Sequence, residues 1–266
     1  MNVIRGKRAL VTGAASGIGR SIALALAREG VDLFLLDQDG AKLAAVAGQA
    51  RQSRTEVVDR QCDVSRPGEV GASVDALLER WGGLDILINN AGVVYFGRTN
   101  EMIDSQWDLL LATNLHAPLL FIRRLLPALL ERREAHILNV CSLYGLVPKR
   151  KVAAYQTAKF GLVGLSQSLR YEYGPAGLGV TALCPGWVDT DIVTAARERG
   201  WVSGSFRIPS SFAMPPDRVA ARAVRAIRRN EGLVAVGVPA RLLWMLHRLS
   251  PALVDRWQHR KRRPRA

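Results

Sequence analysis

Ser142, Tyr155 and Lys159 stand in one stretch, CSLYGLVPKRKVAAYQTAK, and their types and spacing suit a proton-transfer site. If Ala153–Tyr173 is helical, Tyr155 and Lys159 are i and i+4 and share a face, which sets an ammonium beside a phenol. A phenol ordinarily titrates near pH 10, too high for acid–base work at neutrality. A neighbouring cation favours the phenolate and moves that value toward the working range. Ser142 closes the apolar run Ala135–Cys141, which reads as a buried strand, so its hydroxyl stands at a strand's carboxyl end. That edge is where open α/β sheets bind ligands. The same Tyr–Lys spacing also occurs on plain helix surfaces, and the surrounding elements decide between the two readings.

Those elements alternate. Lys7–Thr12 is a short apolar strand running into Gly13-Ala14-Ala15-Ser16-Gly17-Ile18-Gly19, and Arg20–Arg28 then carries helix formers. Strand, glycine loop and helix together bring backbone N–H groups at a helix N-terminus onto a pyrophosphate. Val31–Leu36 is the next buried strand and ends in Asp37, about 20 residues past the loop, where dinucleotide folds hold a ribose 2′-hydroxyl. The Asp37 carboxylate repels a 2′-phosphate, and neither Ser16 nor Gln38 supplies a cation, so NAD is expected over NADP. Helix Ala41–Gln52, strand Glu56–Cys62 ending at Asp63-Val64, helix Glu69–Trp81 and strand Leu84–Ile88 ending at Asn89-Asn90-Ala91-Gly92 continue the pattern. Short strands alternating with longer helices give βαβ units. The fold class is therefore α/β, a Rossmann-type doubly wound parallel sheet in a single domain. Residues 1–238 are expected to form that domain, with 239–266 an appended segment.

Thr12-Gly13-x-x-x-Gly17-Ile18-Gly19, Asn89-Asn90-Ala91-Gly92, Ser142, Tyr155-x-x-x-Lys159 and Pro185-Gly186 follow one another in a familiar order and spacing. The chain resembles the short-chain dehydrogenase/reductase family over roughly residues 5–236. That resemblance implies an oxidoreductase in which Tyr155 exchanges a proton with an alcohol or carbonyl oxygen and Ser142 hydrogen-bonds the same oxygen. It implies that Lys159 lowers the Tyr155 pKa and holds the nicotinamide ribose, and that Asn114 fixes a water linking Lys159 to solvent. It also implies adenine contacts from Asp63 and Val64, Asn90 beside the ribose with Gly92 on the same turn, and nicotinamide-amide contacts from Val188 and Thr190. In such relatives the helices matching Ser105–Arg133 and Ala153–Tyr173 pack across a dimer interface, so a homodimer or homotetramer is expected.

On the substrate side, Val93–Phe96, Leu143–Leu146 and the loop Thr190–Pro216, with Trp201, Phe206 and Phe212, read as an apolar pocket under a mobile lid. Arg197, Arg199 and Arg207 read as solvated positions. A secondary alcohol or ketone on a hydrophobic small molecule (terpenoid, steroid-like, alicyclic or aryl) is the expected substrate. An NADPH-dependent ketoacyl reductase acting on a carrier-bound substrate is the alternative; the basic surface suits it and Asp37 opposes it. The intact set of Asn114, Ser142, Tyr155 and Lys159 argues against a non-catalytic protein that binds nucleic acid.

The net charge is +14, and the last 26 residues carry eight basic residues against Asp255 alone, a net +7. Within them Arg241–Leu249 after Pro239, and Ala252–His259 after Pro251, read as two short helices, the second with Leu253, Val254 and Trp257 on one side. The basic cluster Arg260–Arg265 follows. Two readings stay open: an interfacial helix on an anionic membrane surface, or a helix packed on the domain or a neighbouring subunit with a basic tail. Cys62, Cys141 and Cys184 each end an apolar run, lack metal-ligand spacing and read as reduced buried thiols. No metal is expected. Lys7-Arg8 leads straight into a strand rather than a signal sequence, and no 18-residue uncharged apolar run occurs. The expected location is cytoplasmic, with peripheral membrane attachment under the first reading of the C-terminus.

Overall fold

The strand segments lack polar alternation because both faces of the sheet are covered. Ala9 and Val11 join one buried layer while Leu10 joins the other, and Leu33 and Leu35 divide from Phe34 and Leu36 in the same way. The computed structural model describes residues 1–202 and 213–260, the side chains of 257–260 excepted. Among these residues the strands are β1 (Arg8–Thr12), β2 (Asp32–Asp37), β3 (Val57–Gln61), β4 (Ile86–Asn89), β5 (Ala135–Val140), β6 (Leu178–Pro185) and β7 (Leu233–Val236). They form one parallel sheet in the order β3-β2-β1-β4-β5-β6-β7.

Helices α1 (Gly17–Arg28), α2 (Gly40–Arg51) and α8 (Pro216–Arg228) bury Ile22, Leu26, Leu43, Val46, Val219 and Ile227 on one face. On the other face lie α3 (Pro67–Trp81), α4 (Asp104–Leu111), α5 (Ala117–Leu130) and α6 (Ala153–Tyr173), with Val74, Leu77, Phe121, Leu125 and Leu169 in the core. This is the doubly wound α/β fold that the alternation predicts.

Two local expectations are corrected. Ser105–Arg133 is not one regular helix, because Ala112–His116 forms a wide turn in which the Ala117 N–H reaches back five residues to the Ala112 carbonyl. Such a turn inserts one extra residue and re-aims the side chains around it. Taken together, Asp104–Leu130 is long and apolar enough by length and composition to cross a membrane, with a mean hydropathy of 1.3. Here it packs on the sheet, burying Leu110, Phe121, Ile122, Leu125 and Leu129. The stretch Thr190–Pro216 is not loop throughout, since α7 (Ile192–Glu198) forms within it; Phe206, Arg207 and Phe212 lie outside the described residues.

His136 on β5 is buried, with Nε2 2.8 Å from the Thr181 hydroxyl, and that hydroxyl donates to the Glu231 carbonyl. The Thr181 proton is thus spent, and Nε2 must carry the hydrogen in the first bond. Burial pushes the imidazole pKa down to about 3. With the folded value below the unfolded one near 6.5, the stabilisation is fully present above pH 6.5 and is lost as pH falls toward 3. At about pH 4.5 the loss amounts to roughly 2–3 kcal/mol, at about 1.4 kcal/mol per pH unit. His136→Gln keeps a donor for Thr181 and does not titrate. Urea unfolding near pH 7 and near pH 4.5 should show a smaller acid loss in this variant than in the parent; equal losses would refute the assignment.

Candidate active site

The chain leaves β1 toward β2 and β3 but leaves β4 toward β5, β6 and β7, so the loops at the carboxyl ends of β1 and β4 diverge. A crevice at such a switch point is where doubly wound sheets bind ligands. A cleft of about 590 Å³ opens there. Of the residues that the sequence singles out, Gly13, Ser16, Gly17, Ile18, Asp37, Asp63, Val64, Asn90, Gly92, Asn114, Ser142, Tyr155, Lys159, Pro185, Gly186, Val188 and Thr190 all line it. Gly19 is not among its walls. It lies beneath, where an added Cβ would collide with the Gly13 carbonyl and the Asn90 side chain.

The reactive end is built from β5 and α6. Ser142 follows β5 in extended conformation and accepts a hydrogen bond from the Tyr144 N–H at 3.1 Å. One turn apart on α6, Tyr155 and Lys159 share a face, with Lys159 Nζ 5.8 Å from the centre of the phenol ring. The ammonium is buried and donates to the Val140 carbonyl at 2.8 Å. A buried polar chain fixes α6 against the sheet: Asn89 Nδ2 donates to Asn139 Oδ1 at 2.8 Å, and Asn139 Nδ2 donates to Ser166 Oγ at 2.9 Å.

Burial pushes the Tyr155 hydroxyl up to about 12, while the Ser142 hydroxyl pulls it the other way. Burial also pushes the Lys159 ammonium below its ordinary value. In the protein alone, burial thus works against the ionised form of each group. Desolvation disfavours both charged forms and outweighs an ammonium turned onto the Val140 carbonyl. A neutral Tyr155 is a proton donor.

Asn114 lines the cleft with Lys159. Its side chain is satisfied by one residue, Oδ1 accepting from the Val93 N–H at 3.0 Å and Nδ2 donating to the Val93 carbonyl at 2.8 Å. Gly92 is required beside it, because a Cβ there would stand 2.7 Å from Asn114 Oδ1. Asn114 thus ties the wide turn to the loop after β4.

At the other end, Ser16 caps α1 without a side-chain hydrogen bond, and no acidic residue lies in the first turn. The first-turn N–H groups of a helix have no internal partners, so this end suits a pyrophosphate. Asp37 accepts from the Ala15 N–H and the Asp39 N–H, each at 3.0 Å, which fixes the carboxylate at the tip of β2. Asn90 spends both amide hydrogens on the carbonyls of Thr12 and Gly13, each at 3.0 Å, so it braces the glycine loop. Thr190 closes over the same loop, its methyl 3.1 Å from where a Gly17 Cβ would be. The cleft thus fits a dinucleotide laid from Asp37 to Tyr155.

Three residues take roles that the sequence reading did not give them. Thr12 Oγ1 accepts from the Asn90 and Ala91 N–H groups at 3.0 and 3.1 Å, latching β1 to β4. Trp187 lines the cleft and donates from Nε1 to the Tyr144 hydroxyl at 3.1 Å. Lys42 lines the Asp37 end, paired with Asp39 at 3.1 Å; its position on the first turn of α2, three residues after Asp39, was the available signal. Val93, Val94, Phe96, Leu109, Ile192, Val193 and Trp201 complete an apolar wall near Tyr155, and Arg199 reaches the cleft over the Trp201 ring.

The short chain dehydrogenase family profile matches residues 7–200. A Streptomyces violaceoruber protein, whose name proposes it as a ketoacyl reductase of the granaticin polyketide synthase, is 38% identical over 192 residues, 71% of each chain. A short chain dehydrogenase/reductase from Burkholderia phymatum, solved in complex with NAD, superposes with a TM-score of 0.85 at 28% identity, covering 95% of this chain and 96% of its own. An actinorhodin polyketide ketoreductase variant solved with NADPH gives 0.78 at 31% identity, over 86% of this chain and 95% of its own. With its glycine loop, Ser142, Tyr155 and Lys159 gathered in one cleft, the chain belongs to the short-chain dehydrogenase/reductase family of oxidoreductases.

Proposed function

We propose that the protein interconverts a secondary alcohol and a ketone on a hydrophobic small molecule with NAD as cofactor. One observation carries this reading: Ser142 and Lys159, both buried, and the half-buried Tyr155 face an apolar, aromatic-walled end of the cleft whose far end carries the Asp37 carboxylate. NAD, when bound, supplies the hydride-transferring nicotinamide. The chain's own part is binding and proton control. Tyr155 holds the proton for the carbonyl oxygen and takes it back from an alcohol, and Ser142 hydrogen-bonds that oxygen. Lys159, the buried cation beside them, favours the phenolate as negative charge develops on Tyr155. Trp187, Trp201 and Phe96 keep water from the reacting end and favour an apolar skeleton.

A second reading, a ketoacyl reductase using NADPH, draws on the name of the Streptomyces violaceoruber relative, on the NADPH of the actinorhodin ketoreductase structure and on the Lys42 cation at the Asp37 end. The two separate in one assay. Alicyclic and aryl secondary alcohols with NAD at alkaline pH, and the matching ketones with NADH, are compared with an acetoacetyl thioester and NADPH. The main reading expects kcat/KM at least tenfold higher for the hydrophobic alcohol–ketone pairs. A thioester and NADPH as the best combination would replace it with the second.

A further inference from the structure

After β7 the chain adds two helices, α9 (Val238–Leu249) and α10 (Pro251–Arg260). Their inner face is firmly seated: Ala240 and Val254 are buried, and Leu243 and Trp244 pack with Leu146, Val147 and Leu162. The expectation that Leu253 and Val254 lie on one side is corrected, because successive helical residues point about 100° apart; Val254 is 1% exposed and Leu253 51%. The outer face of α9 is apolar and exposed among the described residues. Leu242, Met245, Leu246 and Leu249 recur at i, i+3, i+4 and i+7, and Leu249 is 84% exposed. Exposed apolar residues scattered singly are ordinary, whereas a contiguous group marks an interaction surface.

One border of this face is basic. Arg241 and Arg248 edge it, Arg248 lying over the Trp244 ring, and α9 contains no acidic residue. Arg256 is exposed on α10, and Lys261, Arg262, Arg263 and Arg265 follow in the sequence. We infer that this face docks on an anionic lipid surface, with Leu242, Met245, Leu246 and Leu249 entering the interface and the arginines meeting lipid headgroups. The charge selects this occupant over a second copy. A two-fold contact sets a patch against itself, so a segment of net +7 would oppose another of net +7, whereas an anionic leaflet complements it.

The test is co-sedimentation of the full-length protein with vesicles of phosphatidylcholine plus phosphatidylserine, beside vesicles of phosphatidylcholine alone. The expected result is binding to the anionic vesicles only, falling as salt is raised. The Leu242→Gln/Leu249→Gln double variant, changed at exposed positions, is expected to bind at least tenfold more weakly with the parent's melting temperature. Parent protein that stays in the supernatant at low salt would overturn the proposal. So would a variant that binds as well as the parent, which would leave charge alone as the cause. A variant that turns a dimer into a monomer without changing vesicle binding would instead assign the face to a second copy.

Discussion

Tyr155→Phe is expected to lower turnover about a thousandfold, within the range for losing a positioned proton donor, while leaving cofactor affinity near that of the parent. The substitution removes only the hydroxyl, and the half-buried ring keeps its place on α6 one turn from Lys159. The pH profile gives a second reading of the same group. With the hydroxyl pushed up to about 12 by burial, the protonated form that serves ketone reduction holds at and above neutrality. Alcohol oxidation needs the deprotonated form and should rise with pH on the alkaline side. In Tyr155→Phe that rise should vanish from the residual activity. Turnover within tenfold of the parent, or an unchanged alkaline rise, would remove Tyr155 from the proposed mechanism.

The second large effect concerns cofactor choice. Asp37 and Asp39 place two carboxylates at the ribose end against the one cation of Lys42, which is already paired with Asp39. A 2′-phosphate therefore meets net negative charge. A penalty of roughly 3 kcal/mol at a partly desolvated site corresponds to a preference for NAD of about a hundredfold. Replacing Asp37 with Ser and Gln38 with Arg removes the repulsion and supplies a second cation beside Lys42, so the preference should cross toward NADP. Asp37→Asn removes the charge and keeps an acceptor for one of the two loop N–H groups, so the ratio between the cofactors, rather than either absolute value, reports the charge. The measurement is kcat/KM with each cofactor. Equal values in the parent would exclude Asp37 as the selector.

Much of this was legible in the sequence because it depends on local pattern. Continuous apolar runs ending at Thr12, Asp37, Asn89 and Ser142 mark buried parallel strands, and the residues just past such strands line a switch-point crevice whatever fills the core. The i, i+4 spacing of Tyr155 and Lys159 and the glycine loop before α1 are local in the same sense. What the tertiary structure decided is what depends on burial and on partners far away in the chain. Asn114 turns to Val93 because a wide turn re-aims it, and no apolar periodicity announces such a turn. Asn90 braces the glycine loop because β1 and β4 are neighbours. Lys42 reaches the cleft because α2 starts beside the tip of β2. Tyr155 is raised rather than lowered because sequence spacing brings a cation near but says nothing of the water removed from both groups. The chemistry of the site is thus written in residue types and spacings, while its electrostatics follow from packing, since the cost of charge depends on what surrounds it.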